Sequence, residues 1–574
     1  MSYLPHKIFV LLFLLTLKGF TQTGPGGVGS SSTNVLWLKS EDLYTLSDGD
    51  NISSWSDISG NGNDVSQPNS SFTPVYKIGV LNGFPVVRFE KANGRLRKTN
   101  FIDFPTSEIT AIYVNKNAES NDGVLSYAST SGNNDFLLFS SNNLRLYRNA
   151  YVTSRLSFND NNWHITNASW QNSGGALEIW KDGSKDYTGT LASGSNITAG
   201  GSLAIAGEQD SVDGGYDASQ SHFGDFAEVM LFNTYLNEAQ QIIVSNYLAV
   251  KYGLSISNDY YSYESEYGFD LAGIGREDAS SLHTDATSDG ILNVSNPSGL
   301  NLDNEYLMFG HDDGEVTWTT VEAPESGVYV QRLTREWRLD ETGDVGAVDF
   351  SVDTSNIPNL PGGHTLYALM IDADGDFSSG ASVYEMSLVS GDIYGVPGVE
   401  FNDGDYVSIA AVNPVIQHSL MSSSDGENID PSIEVLLNFI PLLDKTVEFT
   451  TSNGAANEPG DYISSTNVEL TITAGTTSEN YSIDVIDDMD AEGTETIIST
   501  LSNPIAGLNI GANSVYTYSI LDNDISRKVY LNTETASGDE SVSIVTVNLT
   551  LNEADMSNLT TVDYSATRGT ATGS

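Results

Sequence analysis

The sequence predicts an all-β, multi-domain protein, and three observations carry that reading. Apolar and polar residues alternate with period two over short stretches, as where Leu177 and Ile179 alternate with Glu178 and Trp180. Gly, Asn, Asp and Ser cut these stretches apart at the spacing of sandwich or barrel turns. The chain is also long: 574 residues make three or four domains at roughly 100–200 residues each, and 39% apolar content lets each bury a core.

Composition removes several function classes. Net charge is −52, so the clustered Lys and Arg that nucleic acid or an anionic membrane requires are missing. The same charge favours cations as partners, or simple solubility by self-repulsion. With no cysteine, disulfides, thiolate metal sites and Cys nucleophiles are excluded. His6 and Lys7 precede the apolar run Ile8 to Leu17, followed by small and polar residues, the order of an export signal over residues 1–22. That run is half the about 20 apolar residues a membrane span needs, and no later stretch is longer, so the mature chain is read as secreted or surface-exposed with no span. Thr23 to Thr33, rich in Gly and Ser, reads as a flexible leader.

From Asn34 the strands begin. Leu144 and Leu146 mark one; Ala227, Val229 and Leu231 mark another. Lys181-Asp182-Gly183 supplies a hairpin turn. One segment departs from period two. Asn237 with Gln240 forms a capping-box pattern, Ile242, Ile243, Tyr247, Leu248 and Val250 recur at helical spacing, and Gly253 stands past the end. Residues 34–253 are therefore a strand-rich domain closed by one helix. Val35-Leu36-Trp37-Leu38, Trp55 to Asp64, Trp163-His164, Glu178 to Gly183 and Phe226 to Phe232 leading into Tyr247 to Gly253 resemble a laminin-G or concanavalin-A-like jelly roll. The resemblance implies binding of a glycan or a protein through loops at the sandwich rim, and carries no individual ligand residue across.

Residues 254–413 stay β. Tyr306 to Gly310 reads as a strand, and Val328 to Leu339 as one long strand with Tyr329, Leu333, Trp337 and Leu339 on one face. Leu271 to Asp278 and Arg332 to Glu341 resemble an uncharacterised β-rich module that follows such jelly rolls in bacterial surface proteins, which implies a spacer or adhesive unit. Asp372-Ala373-Asp374-Gly375-Asp376 opens like a calcium loop, but Phe377 stands where Gly is needed, so it is read as a hairpin turn. Asp48 to Asp50 and Asp210 to Asp217 are read as exposed loops, although jelly rolls sometimes hold calcium there.

From Pro414 the strands become regular: Ile433, Val435, Leu437 and Phe439, then Val468, Leu470 and Ile472, then Tyr481, Ile483 and Val485. A repeat follows, in which Val447 to Ala456 aligns without gaps with Val562 to Ala571, and Ser424 to Glu427 with Ser537 to Glu540. Residues 414–525 thus form one sandwich, and 526–574 begin a second copy that reads as part of a longer array.

The chemistry concentrates in the first copy. Asp487, Asp488, Asp490, Glu492 and Glu495 crowd one stretch with no base nearby; Glu427, Asp461, Asp522 and Asp524 lie at other strand ends. In a seven-stranded sandwich all four places can fall at one pole. Converging carboxylates repel, and a hard divalent cation relieves the conflict; calcium takes 6–8 oxygens and tolerates irregular loops. Residues 414–525 resemble the Calx-beta domain, through Asn453-Gly454-Ala455-Ala456 up to Asp461-Tyr462, the Asp487 to Glu495 run and Asp522-Asn523-Asp524. By matched position the resemblance implies calcium ligands at Glu427, Asp461, Asp487, Asp488, Asp490, Glu492, Asp522 and Asp524.

Catalysis is not expected. There is no His-Glu-x-x-His, no Gly-x-Ser-x-Gly elbow and no phosphate loop, and Asp225 with Glu228 offers a single acid pair at the wrong spacing for one sheet face. The reading is an exported surface or extracellular adhesion protein, with calcium-stabilised Ig-like sandwiches and a jelly roll that meets an extracellular glycan or surface protein. The alternative is a secreted polysaccharide-active enzyme with accessory modules.

Overall fold

The computed structural model describes residues 23–539, 541–552, 559–567 and 569–570. The export signal expected over residues 1–22 lies outside the described residues. The chain divides into two compact units between Asn413 and Pro414.

Among the described residues, the first unit contains two eight-stranded antiparallel sheets. Edge to edge, one runs Ser184–Thr190, Ala176–Lys181, Trp163–Gln171, Glu108–Asn117, Gly224–Phe232, Phe84–Phe89, Val75–Leu81, with Asn34–Lys39 also on Gly224–Phe232. The other runs Tyr151–Thr153, Arg145–Tyr147, Gly132–Phe139, Gly123–Ser129, Gly201–Ile205, Leu96–Phe101, Val65–Ser66, Ser54–Trp55. Leu36, Trp55, Phe89, Tyr127, Leu138, Trp170 and Val229 fill the core they share. The expected hairpin turn is present: Asp182 and Gly183 adopt φ of 48° and 77°, the two left-handed positions that match strand twist.

The helix Glu238–Tyr252 starts and stops as its residues dictate. Asn237 accepts from the Gln240 N–H while Gln240 caps back, and Gly253 closes the end at φ 63°. It lies on the outer face of the first sheet, against Val86, Ile112, Val114, Ile165 and Trp180, and its other side meets Leu271, Tyr306 and Met308 of the following module. That cover explains why Glu108–Asn117 is buried at nearly every position rather than at alternate ones.

Two expectations change. Thr23 to Thr33 is not a loose leader: Pro25–Gly27 form a buried turn, and the Gly27 carbonyl meets His283 Nε2 at 3.0 Å. Glycine is needed there because a Cβ at Gly27, φ 77°, would sit 2.6 Å from the Ala286 Cβ. The long strand expected over 328–339 is two strands, Val330–Leu333 and Trp337–Thr342, each paired to Tyr406–Val412. The chain bulges out around Thr334 and returns to the same edge of that neighbour, whose other edge is taken by Leu366–Asp372.

The module after the helix has a nine-stranded and a five-stranded sheet, and the short helix Glu264–Tyr267 precedes it. Asp372 to Asp376 lies in the connection between the antiparallel strands Leu366–Asp372 and Ser382–Glu385, the hairpin anticipated.

The second unit is a sandwich. A four-stranded sheet (Ser478–Ser482, Ser432–Leu437, Val415–His418, Asn509–Ile510) faces a five-stranded one (Ser422–Gly426, Val515–Leu521, Glu495–Ser502, Lys445–Asn453, Val468–Ile472). Here alternation is clean: Ser432–Leu437 and Glu495–Ser502 bury every second residue. Beyond it Val529–Leu531 pairs with Leu549–Leu551.

Candidate metal sites

Strand register assembles the sandwich site. Ser422–Gly426 runs parallel to Val515–Leu521, so the residues that follow each strand, Glu427 and Asp522 to Asp524, leave the sheet together. Glu427, Asp522 and Asp524 each offer an oxygen within 4.8 Å of the others, and Asp461, Glu492 and Glu495 do the same. The Glu492 N–H donates to Asp522 Oδ2 at 2.7 Å, which ties the two groups to one pole. Asp487, Asp488 and Asp490 are not brought into either group; they stay exposed on the intervening loop. Asn523 Nδ2 donates to Asp487 Oδ1 at 2.9 Å, and the Asp488 and Asp490 charges act on Glu492. Glu495, not among the ligands expected from the sequence, lies in the second group. It opens a strand, so its side chain is aimed by the sheet rather than by the acidic loop.

Electrostatics mark the two groups as unfinished. Glu427 is only 5% exposed, and its Oε1 and the Asp524 Oδ2 are buried with no donor. Burial first, then Asp524 and Asp522, push the Glu427 carboxyl up to about 7. Glu495 Oε2 is likewise buried without a donor, and burial with Asp461 and Glu492 pushes that carboxyl up to about 7. No Lys or Arg occurs between Lys445 and Arg527 in the sequence to supply the missing positive charge. An oxygen-only donor set with orphaned, desolvated oxygens fits calcium and does not fit a thiophilic or nitrogen-seeking metal.

A buried acid also stands at the start of a jelly-roll loop whose Asp210 and Asp217 are exposed, as expected from the sequence. Gln209 anchors that loop, its buried Nε2 donating to the Ser126 and Ser202 carbonyls at 3.0 Å. Beside it Glu208 is 5% exposed, with Oε2 buried and undonated, and burial with the charges of Asp210 and Asp217 pushes its carboxyl up to about 7. Gln220 Oε1 and Asn93 Oδ1 are orphaned as well, and the Asn93 N–H bonds Ser221 Oγ at 2.8 Å, which holds Asn93 beside the residue after Gln220. The legible signal was the density of side-chain oxygens from Glu208 to Gln220 between two strands.

Other charged clusters are already satisfied. Asp270, Asp289 and His311 lie together, but His311 Nδ1 accepts from the Asp313 N–H and its Nε2 faces Asp270, which leaves no ring nitrogen for a metal, and Asp289 pairs with Arg335. Ser141, Asp122 and His222 form no triad: serine and histidine both bond the same Asp122 oxygen, and Asp122 and His222 are wholly buried. Asp225 is held bidentately by Arg88, and the buried Glu228 by Trp37, Tyr247, Tyr252 and Lys251, so the acid pair is structural.

The class that fold and sites define is a multi-domain all-β protein with binding-type domains. Residues 96–262 match the Pentaxin family, 240–405 a Domain of unknown function (DUF8202), and 440–524 and 522–574 the Calx-beta domain. None of these descriptions names an enzyme. A rat (Rattus norvegicus) Sushi, von Willebrand factor type A, EGF and pentraxin domain-containing protein 1 is 35% identical over 20% of this chain and 3% of its own length. C-reactive protein of Mesocricetus auratus is 36% identical over 13% of this chain and 32% of its own. The chain thus spans a third or less of these relatives. The apo-form Calx CBD1 domain superposes with a TM-score of 0.19 at 25% identity, covering 19% of this chain and 98% of that one. No described helix is long and apolar enough to cross a membrane.

Proposed function

We propose that the protein is an exported adhesion or binding protein, stiffened by calcium at the sandwich pole and in the jelly-roll loop. The observation that carries this is the shared state of Glu427, Glu495 and Glu208: each has a buried carboxylate oxygen with no donor, among further acids. Glu427, Asp522 and Asp524 hold one ion and Asp461, Glu492 and Glu495 another, with Asp487, Asp488 and Asp490 raising the local field. Glu208, Asp210, Asp217, Gln220 and Asn93 hold the third. In this reading the jelly roll meets an extracellular glycan or surface protein and the following module spaces it from the sandwich.

Calcium that binds only the folded chain stabilises it by mass action, about 2 kcal/mol per site at ~2 mM ion and ~0.1 mM affinity. Calorimetry of the full-length protein is expected to show the higher transition temperature in calcium, the lower in chelator. Identical scans in the two buffers would remove the metal assignment.

A further inference from the structure

A cleft of about 730 Å³ opens beside the helix Glu238–Tyr252, lined by Lys39, Glu41, Phe84, Tyr247, Glu264 and Asp270 among others. It belongs to none of the three proposed calcium groups. We propose that this cleft binds a basic peptide segment, seating lysine or arginine side chains against Phe84 and Phe269 and pairing them with Glu264.

Three independent features point there. The first is charge. Lys251 is spent on Glu41 and the buried Glu228, and Lys39 also leans on Glu41, so Glu264 faces the cleft without an ammonium of its own. Asp270 already faces His311 Nε2 at 3.2 Å, and that contact with the charges of Lys39 and Lys251 holds its carboxyl below the usual range, so Glu264 is the acid of the cleft left to pair. The second is an unfinished acceptor, since Glu41 Oε2 is buried and receives no hydrogen bond. The third is aromatic. Phe269 is 42% exposed at the rim although it opens a buried strand. The protein's own cations already use this chemistry: the Lys251 ammonium lies 5.6 Å from the Phe84 ring, 5.4 Å from Tyr247 and 5.0 Å from Tyr252. A neutral glycan would occupy the aromatic faces but leave Glu264 unpaired. The volume lies in the usual range of about 300–1,000 Å³ for ligand sites, room for a few extended residues.

The test is titration calorimetry of the full-length protein, in chelator and in calcium, with acetylated, amidated tetra-arginine and, separately, cellotetraose. Tetra-arginine is expected to bind in both buffers and cellotetraose in neither. Phe269→Ala and Glu264→Gln should each weaken tetra-arginine about tenfold, the scale of one desolvated cation contact. Both side chains are exposed, so unchanged melting shows that the variants fold. Glu427→Gln, in the other unit, should leave the affinity unchanged. No binding, equal affinity for the cleft variants and the parent, or a preference for cellotetraose would each overturn the proposal, and none of these outcomes bears on calcium.

Discussion

At the scale of single residues, this chain is organised by what each carboxylate is given to hold. Asp57 shows the satisfied case. One oxygen accepts from the Trp37 and Ser59 N–H groups and the other from the Asn63 N–H and Ser59 Oγ, all at 2.8–2.9 Å, which knots the loop after Trp55 to the first strand. Glu427 shows the opposite: its Oε1 and the Asp524 Oδ2 are buried with no hydrogen-bond partner, and burial with the neighbouring acids pushes the Glu427 carboxyl up to about 7. Glu427→Gln is therefore expected to raise the melting temperature of the metal-free protein by about 4 °C, since the amide can donate where two carboxylates repel. The same change should remove most of the calcium-induced rise. Paired scans with and without chelator read both effects, and a fall in the metal-free melting point would show that Glu427 is not under repulsion.

Among elements, the segment Gly24 to Val28 matters out of proportion to its length. It is buried beside Ile243 of the helix and Ala286 of the following module. Gly27→Ala adds both a left-handed backbone penalty and a steric clash, expected to cost about 2–4 kcal/mol in denaturant unfolding. His283, bonded to the Gly27 carbonyl, gives the segment a pH dependence. Burial lowers its pKa from 6.5 to about 4. The folded state therefore disfavours the proton that the unfolded chain takes up below 6.5. The stability is fully present above that pH and is lost as pH falls toward 4, by roughly 3 kcal/mol if the whole shift is realised. Denaturation of the parent across pH 7 to 4.5, compared with His283→Gln, measures it; parallel curves would rule out His283 as the source.

On the scale of the whole molecule, the helix joins what the sequence divides. Its buried residues belong to one apolar cluster with the outer face of the jelly-roll sheet and with Tyr306 and Met308. Residues up to Asn413 are accordingly expected to unfold in one calorimetric transition, with the jelly roll and its following module together. Two resolved transitions within that unit, assigned by the separate loss of tryptophan signals from Trp170 and Trp337, would contradict it.

The all-β class, the hairpin at Asp182-Gly183, the capped helix and the alternating strands of the sandwich were legible because each depends on neighbours a few residues apart, where period, turn conformation and capping are decided. The acid-rich pole was legible as composition. Which acids share an oxygen shell was not: Glu427 reaches Asp524 because two parallel strands end side by side, and Glu495 joins Asp461 because a strand begins there. The export reading of residues 1–22 rests on sequence alone. The burial of Pro25–Gly27, the loop around Glu208 and the cleft beside Lys251 came only with tertiary structure, since each unites segments far apart in the chain. Local order along the chain sets the elements, whereas convergence of distant charges depends on how the packed sheets place their ends.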